Sequence, residues 1–144
     1  MKVVLHLNDG VHFTASTDND QRFEIDGSET VGGQEKGPRP MELVLGALAG
    51  CSAIDVMSTL RKMKQDVSDC QIEVTGERAD QVPAVFCHIQ LDFLIYGNNL
   101  DQRKVQRAVT LAVEKYCSVG KMLESTARIS HSTTIHPVPS HREQ

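Results

Sequence analysis

The chain has no tryptophan, only two tyrosines and only four phenylalanines among 144 residues. That leaves little aromatic surface for stacking bases and argues against a single-strand nucleic-acid platform. Basic residues are scattered rather than clustered, and the net charge of −4 with a pI near 5.8 argues against a general nucleic-acid binder. There is no CxxC or HxxxH spacing: His6, His12, His88, His131, His136 and His141 form no metal motif, and no metal or other cofactor is expected. No Gly-rich phosphate loop, Ser/His/Asp constellation, internal repeat or low-complexity segment is present. The opening Met1–Asn8 turns polar too soon for a secretory signal, so the four cysteines read as reduced thiols of a cytoplasmic protein.

The chain also has one unusually apolar stretch. From Met41 to Leu60 the clearly polar residues are Glu42, Ser52, Asp55, Ser58 and Thr59. A helix apolar on nearly every face is normally buried. Glu42 and Asp55 interrupt it enough to favour a soluble core helix over a membrane span. Pro40 suits its first turn, Glu42 suits its positive end, and Arg61, Lys62 and Lys64 suit its negative end. Small residues at 46, 47, 49, 50 and 53 would let another backbone approach closely, and Cys51 sits near the middle.

Around this helix the pattern predicts strands at Lys2–Leu7, Val11–Ser16 and Gln21–Asp26, then a Gly-rich loop over Gly27–Gly37. Beyond the helix come a strand at Cys70–Arg78, a turn around Asp80–Pro83 and a long alternating strand at Ala84–Tyr96. Val85, Cys87, Ile89, Leu91, Phe93 and Ile95 should share its apolar face, with Cys70 and Cys87 packed in the core and too far apart for a disulfide. Asp101–Tyr116 reads as a helix whose apolar stripe continues to Cys117. Ser118 is positioned to cap a short helix through Leu123, Thr126–Ile135 is a last strand, and Pro137–Gln144 a polar tail. The order β-β-β-α-β-β-α-α-β gives an α+β fold with mainly antiparallel sheet, in one domain over residues 1–136.

Pro40-Met-Glu-Leu-Val44 followed by Ala47-Leu-Ala-Gly-Cys51 resembles the signature of the OsmC/Ohr family, the osmotically inducible and organic hydroperoxide resistance proteins. Ala112-Val-Glu-Lys-Tyr-Cys117-Ser-Val-Gly-Lys121 resembles that family's second cysteine motif. The resemblance implies an intertwined homodimer with active sites at the subunit interface. It makes Cys51 the thiol that attacks an organic hydroperoxide and Cys117 the thiol that resolves it, with a dithiol reductant such as a lipoylated protein restoring the pair.

Active members place a glutamate directly after the helix-motif proline and draw an arginine from the early strands. Here Met41 holds the glutamate position, Glu42 follows one residue later, and the early Gly-Gly-Arg segment is missing. Arg39, Arg22 and Lys121 are the candidate cations. Two alternatives to a peroxidase stand beside it: a module binding a small apolar or thiol-bearing ligand at the dimer interface, and a reversible redox sensor.

Overall fold

The computed structural model describes residues 1–138, so most of the expected tail and His141 lie outside the described residues. The chain divides into two compact units, Met1–Val44 and the segment from Leu45 onward.

The first unit is a three-stranded antiparallel sheet of β1 (Val3–Asp9), β2 (His12–Thr17) and β3 (Arg22–Ile25). Gly10, at φ +56°, turns β1 into β2, as the Asn-Asp-Gly signal predicts. Leu5, Ala15 and Phe23 are in register across the three strands. The following loop contains one 3-10 turn, Glu29–Val31, and is tied to the side chain of Asp26. This carboxylate is buried and accepts the backbone N–H groups of Gly27 (2.7 Å), Gln34 (3.1 Å) and Lys36 (3.0 Å).

Helix α1 (Pro40–Lys62) runs from the first unit into the second. Its start is closed by Glu42, whose carboxylate accepts the Arg39 N–H at 2.8 Å, half of a capping box. By length and composition α1 is apolar enough to cross a bilayer. Its fully buried residues, Leu48, Ser52, Val56 and Leu60, recur every fourth position and form a single stripe. Gly46, Ala47, Gly50 and Ile54 are exposed, Ile54 by 72%. One chain covers one stripe of this helix.

The second unit is built on β4 (Asp66–Arg78), β5 (Phe86–Asn98) and β6 (Arg128–His136), with β5 in the centre. β4 and β5 are antiparallel, whereas β6 runs parallel to β5. The parallel pairing requires a crossover, which α2 (Gln102–Leu111), a π-helical turn (Ala112–Tyr116) and α3 (Ser118–Leu123) supply. Asp101 caps α2 by accepting the N–H groups of Arg103 and Lys104. Ile89, Leu91, Phe93 and Ile95 of β5 are fully buried, as are Val105, Ala108, Val109 and Ala112 of the crossover. On the other face of the sheet, Asp92 accepts hydrogen bonds from Ser132 and then Gln90, which hold its carboxyl below the usual range.

Three side chains differ from the alternation reading: Val85 precedes the strand and is exposed, Phe86 is buried and Cys87 is exposed. A bulge between the pairs Glu77↔His88 and Arg78↔Phe86 inserts Cys87 as an extra residue. Phe86 is buried in its place, and Cys87 is exposed, donating to the Glu77 carbonyl at 3.3 Å. Cys70 does lie on the inner side of β4, half-buried and paired with Ile95. Burial, and then the neighbouring Asp69 carboxylate, push the Cys70 thiol up.

Candidate functional site

α1 is the element that fixes one side of the site. Its buried stripe places Leu48 and Ser52 one turn apart, with Cys51 beside Ser52 and half-buried. The other side comes from the crossover. The π turn is closed by the Cys117 N–H donating to the Ala112 carbonyl, five residues back, at 2.9 Å. The chain then turns extended at Cys117 (φ −67°, ψ 108°) before α3 begins. The expectation that Ser118 caps α3 is corrected here. The π turn takes up one more residue than an α-turn, so Cys117 becomes the cap and Ser118 the first helical residue.

Cys117 is buried, and its Sγ accepts the Gly120 N–H at 3.3 Å. The same sulfur lies 3.9 Å from the Leu48 carbonyl oxygen of α1. This contact carries Cys117 to the middle of α1, and the thiols of Cys51 and Cys117 interact there although they are 66 positions apart in the chain. Burial pushes the Cys117 thiol up from its ordinary value. The Ser52 hydroxyl and the Gly120 N–H act against that by favouring the thiolate, and Cys51 adds to the rise.

The candidate cations have local partners or none. Arg39 pairs with Glu35, four residues earlier in the loop before α1, at 2.5 Å. Lys121 pairs with Glu124 at 2.7 Å on the exposed side of α3. Arg22 is exposed at the start of β3 and makes no ion pair among the described residues. Glu42 is engaged at the helix start. Among the described residues no group of three His, Cys, Asp or Glu side chains comes together as a metal site.

Ser52 is the residue that sequence reasoning passed over. Its side chain is fully buried, and its hydroxyl has no hydrogen-bond partner of normal geometry among the described residues. The signal was its place in the sequence: a hydroxyl residue in phase with Leu48, Val56 and Leu60 on an otherwise apolar stripe.

A family profile described as OsmC-like protein matches residues 33–132. Protein YhfA of Escherichia coli K12 is 44% identical over 124 residues, covering 86% of this chain and 90% of YhfA. A structural-genomics structure is 40% identical with a TM-score of 0.86, covering 96% of this chain and all of its own. The organic hydroperoxide resistance protein OhrB of Bacillus subtilis has the same fold at 18% identity, with a TM-score of 0.62 over 92% of this chain and 96% of OhrB.

Proposed function

The chain belongs to the OsmC family, and from that premise we propose that it is a thiol-dependent redox protein that reduces organic hydroperoxides with Cys51 and Cys117. The observation that carries this reading is the meeting of the two thiols in the middle of α1. In this scheme the Cys51 thiolate attacks the O–O bond of a hydroperoxide. The O–O bond breaks, the alcohol leaves with a proton, and Cys51 becomes a sulfenic acid. Cys117 then attacks the Cys51 sulfur, an S–S bond forms, and the sulfenic oxygen leaves as water. A dithiol reductant, a lipoylated protein in our proposal, restores both thiols in the cytoplasm.

The working form is a homodimer. The exposed α1 face of Gly46, Gly50 and Ile54 supports it, as does the first unit's own apolar surface, where Val3, Leu5, Leu7 and Val31 are 47 to 61% exposed. The lining of a bound substrate's apolar tail would be completed by the second copy.

Stopped-flow mixing of reduced protein with cumene hydroperoxide tests the activity. The expected result is stoichiometric loss of peroxide, absent in Cys51→Ser, with a Cys51–Cys117 disulfide recovered by mass spectrometry. Peroxide left unconsumed while Cys51 stays a free thiol overturns it. The second reading, a ligand-binding module without peroxidase activity, is favoured by Met41 and by the local pairing of Arg39 with Glu35 and of Lys121 with Glu124. It predicts a small apolar or thiol-bearing ligand retained in native mass spectra and an unmodified Cys51 after peroxide.

A further inference from the structure

We propose that Ser52 is a positioning residue for Cys117: its buried hydroxyl and the Gly120 N–H together form a two-donor seat for the negative charge that Cys117 carries when it attacks or leaves. The inference deepens the redox reading above and rests on it for its purpose, though its physical content can be tested without peroxide.

The geometry begins with an unpaired group. A buried hydroxyl without a partner is costly, and few are left so in folded proteins. Ser52 Oγ is such a group, one helical turn from the Leu48 carbonyl toward which Cys117 Sγ points at 3.9 Å. The Leu48 carbonyl is an acceptor and suits the neutral thiol, which has a proton to offer. A thiolate has none. Its charge needs donors, and among the described residues two are within its reach: the Gly120 N–H already at 3.3 Å and the uncommitted Ser52 O–H. The seat thus discriminates between the two protonation states.

Among the described residues no cation takes this role. On α3, Lys121 is committed to Glu124, and both are exposed. On the π turn, Glu114 faces His131 of β6 at 3.3 Å, and Lys115 lies over the Tyr116 ring. From α1, Cys51 is the titratable group that acts on Cys117, and it raises the thiol rather than lowering it. The inner residues of β5 are apolar.

Two steps use the seat. In resolution, the Cys117 proton passes to the departing sulfenic hydroxide, making water, while the Cys117 sulfur is oxidised and the Cys51 sulfur reduced. In recycling, an external thiolate attacks the Cys51 sulfur of the disulfide. Cys117 departs as a thiolate, and leaving is faster for a better stabilised thiolate.

The test uses reduced full-length protein carrying 13Cβ-labelled cysteine, with the four resonances titrated by NMR and assigned by single cysteine substitutions. Ser52→Ala should move the Cys117 titration to higher pH, leaving about tenfold less thiolate at a given alkaline pH, the size expected for one charge-assisted hydrogen bond. The exposed Cys87 resonance should not move. Thermal stability of the reduced Ala variant near neutral pH should be unchanged or higher, because an unpaired buried hydroxyl has been removed. A purely structural role predicts the reverse: a loss of stability with an unmoved Cys117 titration.

Ser52→Thr and Ser52→Val have the same shape and differ by the hydroxyl. Thr should keep the wild-type profile relative to Val, and this pair decides the matter if the Ala variant fails to fold. Coincident Cys117 profiles for Ser and Ala, or for Thr and Val, overturn the proposal. A protein that leaves peroxide unconsumed yet shows the shift refutes the peroxidase reading and leaves the seat intact.

Discussion

Asp26 and Cys117 are both acidic groups buried in a turn, and they are treated in opposite ways. Asp26 receives three backbone N–H groups, from Lys36, Gly27 and Gln34, and these hold its carboxyl below the usual range against the effect of burial. Cys117 receives one N–H of its own, and burial wins, so its thiol is pushed up. The difference is the number of committed donors. A fully served charge is a fixture of the loop it ties; a partly served one is held neutral with a donor in reserve. The first unit thus uses its buried acid to tie a loop, whereas the second leaves its buried thiol only partly served.

The largest effect should come from breaking the served side. Asp26→Ala strands three backbone N–H groups and should release the loop, read as loss of hydrogen-exchange protection at Gln34 and Lys36. The pH dependence has a fixed sign. The folded carboxyl lies below its unfolded value of about 3.9, so its stabilisation is fully present above that pH and is lost as pH falls through the lower folded value. Acid unfolding of wild type should therefore show a component that Asp26→Ala lacks. Next in size, Leu48→Ala removes a fully buried side chain and should cost about 2–5 kcal/mol by chemical denaturation. It also opens the ground beside Cys117, so alkylation of that thiol should quicken while the exposed Cys87 reacts as before.

The same contrast explains what could be read in advance. Period-two alternation located β5, and Pro40 with Glu42 located the start of α1, because local pattern and local capping agree there. The family motifs named Cys51 and Cys117, and the fold does bring them together. The misplacements of Cys87 and of the α3 cap each come from an added residue. The bulge turned Cys87 outward, and the π turn made Cys117 rather than Ser118 the cap of α3. An inserted residue shifts the phase of everything beyond it while leaving composition unchanged, so a periodic reading cannot see it. Ser52 was legible as a polar residue in the helix; that it faces the core depended on which stripe of an evenly apolar helix one chain would bury.

The smallest expected effects concern the partly served thiol. The Cys117 thiol is raised in the fold, so the folded chain holds a proton that the unfolded chain gives up above about pH 8.5. Its contribution is present below that pH and declines as pH rises toward the higher folded value. Cys70 is raised as well, first by burial, and declines with the same sign. Removing one thiol should therefore flatten the alkaline fall in stability only in part. Urea midpoints from about pH 7 to 10 should fall less steeply in Cys117→Ala than in wild type, and less steeply again when Cys70→Ala is added. The reference is the exposed Lys121–Glu124 pair: Lys121→Ala should change stability by under about 1 kcal/mol at any of these pH values. If Cys117→Ala leaves the alkaline slope of wild type intact, its thiol is not held neutral by the fold, and the contrast with Asp26 collapses.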